Sequence, residues 1–494
     1  MTALKPSFFI IISILLGSTC DSTRSQEYAV RGQHPRLFFT AERIENLRER
    51  IKTEPTTAEA WARIVADPKT IEELCLAYRM TGERRFAEKA RSAVGRLRYG
   101  DDALMKRDPP WHAGLQTARS CYESAVVYDS IYDALTPEER VDMAQRMIDK
   151  GILPTLNDWV LGTHRIHALD SMGHNWWSAC VFGAGMASLA VMDEEPRARE
   201  WLSRISDGSV EWFDFAGSLL DNKPKSFDAD GGFYEDVNYA SFAVSQYLLF
   251  RLAWSQSLIT PAVPEIPMLD RVGDYFLNVS YLNSGRSMNL NFGDGGLTAD
   301  TTSPLVWLRA NGFGRPRHLW YLRETMAEQH GRETDRTSAM GLVFYPSDAE
   351  LAASPATPDI PPSSHYSDIG WASLRSSWDR NATLLGVKSG YTWNHAHADA
   401  GSFVLFHQGE HILIESGKCS YGRPEYNGYY RQSQAHNVVL FNGQAQNPED
   451  TAFGSKFPGT VSHLMDSGDL KYVLADATGP TSHLFIRNYR HFLW

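Results

Sequence analysis

The sequence predicts a two-part α + β protein: a long helical half, read as an α/α barrel or toroid, followed by an all-β half, read as a sandwich. Three observations predict it. From about residue 40 to about residue 340, apolar residues recur at helical spacing. The stretch Ala352–Ser364, Ala-Ala-Ser-Pro-Ala-Thr-Pro-Asp-Ile-Pro-Pro-Ser-Ser, reads as a linker, placed at 351–365. Beyond it the apolar period changes to two, the period of a half-buried strand. A length of 494 residues with 43% hydrophobic and 12% aromatic residues allows two domains with large cores, and argues against disorder.

Residues 1–26 look like an export signal, with Lys5 ahead of the apolar run Phe8–Leu16 and Cys20 as a candidate lipidation site after Gly17-Ser18-Thr19. That run is far shorter than the roughly 20 residues that span a bilayer. The expectation is an exported protein, periplasmic, secreted or lipid-anchored, with no transmembrane span. The helical half is placed at 27–350. It opens with Gln33-His34-Pro35-Arg36-Leu37-Phe38-Phe39, and Thr40 is a candidate helix cap ahead of Ile44, Leu47 and Ile51. Further helices are predicted over Ala58–Val65, Ile71–Met80, Phe86–Leu97, Ala118–Leu135, Pro137–Lys150, Trp176–Met192, Arg197–Asp207 and Tyr239–Trp254. No strict short repeat is present, so a solenoid is not favoured. In the β half, 366–494, strands are predicted at Trp371–Leu374, Ala382–Lys388, Ser402–His407, His411–Glu415, Asn437–Phe441 and Tyr472–Ala475. The last residues, Arg490–Trp494, read as the middle of a strand, which predicts a sandwich truncated at this end.

A net charge of −11 argues against general nucleic-acid binding but leaves room for a polyanionic sugar in a local basic site. The 14 Trp and 21 Tyr residues serve cores first, and their flat faces also suit pyranose rings. Cys75, Cys121, Cys180 and Cys419 are scattered, three of them in helical patterns, and read as free thiols rather than a disulfide framework.

The chemistry concentrates in Asn394–Asn437. Here Asn-His-Ala-His-Ala-Asp-Ala-Gly is followed by a hairpin that turns at Gln408-Gly409 and returns to Glu415, and His436-Asn437 comes one connection later. Pairing outward from the turn sets Val404 against Leu413 and Ser402 against Glu415, near His397 and Asp399. In extended backbone His395 and His397 share a face. Two imidazoles and a carboxylate suit zinc or a similar borderline ion with an open fourth position. Asp399 is a spare ligand or an orienting partner. Arg431 is a candidate clamp for carboxylate or sulfate, with Tyr429 and Tyr430 as candidate substrate contacts. In the helical half, Gly173-His174-Asn175-Trp176-Trp177 starts one helix, and Asp228–Tyr239, with Glu235 inside it, turns into another. Capping and core packing account for both on spacing alone. Asp294, in the Gly-rich turn Asn289–Gly296, reads as structural.

Together these motifs resemble the heparinase II/III-like polysaccharide lyases, which include related alginate lyases. The resemblance rests on the His-Pro-Arg-Leu-Phe-Phe opening, Leu76–Gly82, Tyr128-Asp129, Asp230-Gly231 with Tyr239, and above all Asn394–Ser416 with Ala435-His436-Asn437. It implies an incomplete α/α toroid joined to an antiparallel β-sandwich, with an active site between them. It implies Tyr239 and His395 as Brønsted acid and base, in either order. It implies His174 and Asn175 as the groups that neutralise a substrate carboxylate. It implies zinc on His397, Glu415 and His436, and an acidic polysaccharide as partner. The family often has Asp where Glu415 stands. Tyrosine has a reference pKa near 10, so Tyr239 needs cationic or imidazole neighbours to ionise near pH 7; His395 is expected either to supply that influence or to act as the base itself. The reaction so implied is β-elimination at a uronic acid. Rival readings are a zinc hydrolase, a toroidal glycoside hydrolase using Asp230 and Glu235, and a non-catalytic glycan-binding protein.

Overall fold

A computed structural model describes residues 28–162, 172–215, 225–283, 286–326, 332–390, 394–446 and 457–494. The expected export signal lies outside the described residues, and no helix among them is long and apolar enough to cross a membrane.

The helical half is built in two layers. Helices Leu115–Ser130, Asn175–Ala190 and Val237–Ser257 are buried nearly all round. Each packs on the next, and the series Ile71–Thr81, Leu115–Ser130, Asn175–Ala190, Val237–Ser257, Ser303–Ala310, Ala339–Phe344 returns to its first member. Arg84–Gly95, Pro137–Met147 and Ala198–Asp214 lie outside this ring, bury one stripe against it and show charge to water. That alternation of inner and outer helices is the α/α toroid. Sequence signals set several boundaries. Ile71–Thr81 starts in a Thr70/Glu73 capping box and ends at Gly82 in the left-handed conformation. Pro137–Met147 starts in a second box made by Thr136 and Glu139.

Among the described residues the β half holds two antiparallel sheets. Five strands run in sequence order, Ser364–Tyr366, Trp371–Arg375, Leu384–Lys388, Ser402–His407 and Glu410–Leu413. Three more, Thr460–Asp466, Lys471–Asp476 and Tyr489–Leu493, form the second sheet. Trp371–Arg375 and Leu384–Lys388 are buried at every position because both their faces are covered. Ala372, Leu374, Leu385 and Val387 meet Val461, Val473 and Ala475 of the three-stranded sheet. Trp371 and Leu384 face the other way, into the core of the helical half. There Phe292 meets Trp371 edge-on at 5.0 Å. Burial of two such rings stabilises the contact by about 1.5–3 kcal/mol each. Gly386 sits mid-strand for the same reason: a Cβ there would lie 2.5 Å from Leu290.

Three expectations need correction. The hairpin turns at Gln408-Gly409, both at positive φ as a two-residue turn requires. A bulge then shifts the register so that Leu405, not Val404, faces Leu413. Asn437–Phe441 is not a strand, because the Asn437 amide donates to the Phe403 and Ile414 carbonyls and so occupies the groups a ladder would use. His395 and His397 do not share a face of extended backbone, because His395 has φ of 59° and the chain reverses there. Among the described residues the four cysteines are free thiols, three of them buried and Cys419 half-buried.

Candidate active site

Two long inner helices begin at one place. Asp236 caps Val237–Ser257, its Oδ1 accepting from the Asn238 and Tyr239 amides at 2.8 and 3.1 Å. Tyr239 therefore stands in the first turn. His174 caps Asn175–Ala190, its Nδ1 accepting from the Trp176 amide at 3.0 Å, which puts Asn175 first in that helix. The left-handed turn at His395 brings its ring flat onto Tyr239, 4.0 Å between centroids and 10° between planes. The same turn carries the Asn394 amide to 2.9 Å from His174 Nε2 and 3.0 Å from Glu235 Oε1. Asn175 donates to Glu235 Oε2 at 2.7 Å. So Tyr239, His395, His174 and Asn175, from three segments up to 220 positions apart, are brought together.

Glu235 is 1% exposed and accepts both amides, so it orients Asn175 and Asn394 and does not face substrate itself. Asp230, its expected partner in the glycoside-hydrolase reading, lies on an exposed turn held by the Asp228 carboxylate. Arg431, the candidate clamp, is turned inward, with its Nε and Nη1 engaged by the protein and its Nη2 without a partner among the described residues. It is buried, donates to the Ala396 carbonyl at 3.0 Å and to Asn427 at 3.0 Å, and braces the His395–His397 turn from behind. Tyr429 and Tyr430 pack edge-to-face on each other at 5.3 Å. Among the described residues neither side chain bonds to or stacks on Tyr239, His395 or His174.

His397 points the other way. Its Nε2 meets Asp294 Oδ1 at 2.8 Å, and Asp294 Oδ2 accepts from the Tyr426 hydroxyl at 2.8 Å. Burial raises the Asp294 carboxyl, but His397, His395 and the Tyr426 hydroxyl together outweigh it and hold the group below its ordinary value. The His436 ring is 5.1 Å from that of His397, and its Nδ1 bonds Glu415 Oε2. Burial lowers the His436 imidazole, and Glu415 more than reverses this, leaving it raised. The other Glu415 oxygen accepts from Ser402. Asp399 is buried against Lys388. Among the buried polar atoms without a hydrogen-bond partner in the described residues are His397 Nδ1, His436 Nε2 and Asp399 Oδ2. Imidazoles held by a carboxylate on one nitrogen, with the other lone pair buried and unused, have the chemistry of zinc ligands. As they stand, no three His, Cys, Asp or Glu side chains among the described residues are arranged to share an ion. To join His397 and His436 as a ligand, Glu415 would have to exchange its bond to His436 or Ser402.

Burial lowers the His395 imidazole to about 4, against the pull of Asp294. It is therefore neutral near pH 7; of its two expected roles this fits the base rather than a source of positive charge beside Tyr239. Burial, with the bond to Tyr421, keeps the Tyr239 phenol protonated well above its ordinary range. Two residues of this cluster were missed in the sequence. Tyr421 places its hydroxyl 2.6 Å from that of Tyr239, and Lys418 donates to both. Asp294, read as a structural turn residue, joins the two halves. A Lys-x-x-Tyr spacing in a loop carries no signal until the loop is folded over the helix.

Comparisons with known proteins bear on the fold and on the β half. Residues 359–466 match the family model described as heparinase II/III-like, C-terminal. An 83-residue stretch is 31% identical to the heparin-sulfate lyase of Pedobacter heparinus, covering 16% of this chain and 13% of that protein. In fold the chain is similar to the crystal structure of heparinase III, with TM-score 0.55 at 14% identity over 86% of this chain and 59% of that one. It is similar also to a heparan sulfate lyase from Pedobacter heparinus, with TM-score 0.51 at 14% identity over 88% and 60% of the two chains. The chain thus spans about 60% of the length of these solved relatives.

Proposed function

We propose that the protein is a polysaccharide lyase that breaks uronic-acid-containing chains by β-elimination and leaves a 4,5-unsaturated sugar. The observation that carries this reading is the Tyr239–His395 stack beside His174, Asn175 and Asn394. The names of the relatives, lyases of heparin-like polymers, point the same way.

The C5 proton of a uronate is a poor acid while its carboxylate is fully charged. Donors must hold charge on the carboxylate oxygens as the enolate-like state forms. Asn175, Asn394 and His174 are the candidates, with Glu235 fixing both amides. His174 and Asn175 lie at one helix N-terminus, where the backbone favours an anion, and Asn394 reaches it from the turn before His395. Neutral His395 is suited to take the C5 proton. Protonated Tyr239 is suited to give its own to the departing O4, so the glycosidic C–O bond breaks as the C4–C5 double bond forms. The cycle closes when His395 releases its proton and Tyr239 regains one from water.

A zinc ion on His397, Glu415 and His436 would supply a fixed charge that locks the 394–437 region. The proton transfers belong to the chain's own residues.

The test is incubation with a panel of uronate polysaccharides, followed by ultraviolet absorbance of the conjugated product. A time-dependent rise with at least one polymer is expected. Saturated products alone would move the protein to the hydrolases, and binding without turnover to the glycan-binding proteins.

A further inference from the structure

Lys418 stands on the loop three residues after Glu415. Its Nζ donates to the Tyr421 hydroxyl at 3.1 Å and to the Tyr239 hydroxyl at 3.4 Å, and the two hydroxyls are 2.6 Å apart. The ammonium also lies 4.9 Å from the Tyr421 ring centroid and 5.5 Å from that of Tyr239. The other charged or titratable groups that face these phenols do not favour a phenolate. His395 is stacked flat on Tyr239, and among the described residues it makes no hydrogen bond to the phenol oxygen. Asp236, at the cap beneath Tyr239, and Asp294, on the turn beside it, both oppose ionisation. Among the described residues Lys418 is the cation that hydrogen-bonds the pair.

We propose that Lys418 is a positioning residue that holds the negative charge of the Tyr239–Tyr421 pair when Tyr239 has given up its proton. This rests on the lyase reading. When the Tyr239 O–H bond breaks and the proton goes to O4, the electron pair stays on the phenolate oxygen. Tyr421 keeps its hydrogen between the two oxygens, and Lys418 keeps all three of its protons and remains the counter-cation. Burial and the bond to Tyr421 hold the phenol protonated in the resting site, and Lys418 supplies the counter-charge at the oxygen once the proton has left.

The test has two arms. In the first, K418M is compared with K418R and wild type on a turned-over polymer. K418M is expected to lose kcat on the order of 10²-fold, the lower end of proton-transfer effects, with KM within about threefold, and K418R to recover most of it. A raised KM with unchanged kcat would make Lys418 a substrate clamp and overturn the proposal. The second arm needs no substrate. The ultraviolet signal of tyrosinate is followed against pH in wild type, Y421F, K418M and K418R. The component lost in Y421F should move up by at least one pH unit in K418M and return in K418R. Superimposable K418M and wild-type curves would overturn the proposal even if lyase activity is found. A shifted curve with no turnover of any polymer would instead sink the lyase reading and leave the charge pairing intact.

Discussion

Asp294 offers the sharpest single test of how the two halves are joined. It comes from a turn of the helical half, is 1% exposed, and takes one bond from His397 and one from Tyr426, both in the β half. Asp294→Ala removes a charged acceptor and strands two buried donors. Each such bond is worth about 1.5–3 kcal/mol, so the pair sums to roughly 3–6 kcal/mol. The two share one carboxylate and are not additive, which makes about 4 kcal/mol the working figure. Asp294→Asn keeps an oxygen for His397 and lets Tyr426 reorient its hydroxyl, so it should cost about 1 kcal/mol. Urea unfolding of the three proteins at pH 7, followed by tryptophan fluorescence, measures this. The effect should also depend on pH. The folded carboxyl titrates below its ordinary value of 3.8, so its contribution is present above that value and is lost as pH falls through the folded pKa. Wild type and Asp294→Ala should therefore converge in acid. A loss under 1 kcal/mol for the alanine variant, or equal losses for Ala and Asn, would refute the bridging role.

Other outcomes follow from the same geometry. Tyr239→Phe should lower kcat by about 10²–10⁴-fold while oligosaccharide binding by calorimetry is kept; unchanged turnover would remove Tyr239 from the chemistry. Elemental analysis should find about one zinc per chain, and a strong chelator should lower the thermal midpoint in wild type but not in His397→Ala. Equal midpoints with and without chelator would end the zinc proposal. Burial raises the Asp236 carboxyl to about 8, against the amide bond from Tyr239. The folded protein then keeps a proton that the unfolded chain loses near 3.8, so stability falls as pH rises from 3.8 towards 8. Asp236→Asn keeps the helix cap and should raise the thermal midpoint at pH 8 but hardly at pH 4; an equal gain at both would contradict the assignment.

Much of this protein is written locally. Helical spacing, the capping boxes at Thr70 and Thr136, the change of period after the Pro-rich stretch, and the Gln408-Gly409 turn each act over a few residues and are legible without the fold. So are the residue types of the site, because His-x-His, His174-Asn175 and Tyr239 stand out against their surroundings. The tertiary structure decided what each of them touches. His395 and His397 part company because one residue takes a left-handed backbone. Arg431 turns inward because the Ala396 carbonyl lies within its reach, and Glu235 is sealed beneath two amides that come from distant segments. Asp294, Tyr421 and Lys418 join the cluster only because a turn of the toroid and a loop of the β half meet. Hydrogen bonds between residues more than 100 positions apart leave no trace in spacing. A sequence names the groups available for chemistry; which are buried, charged and in contact is set by the packing of the two halves.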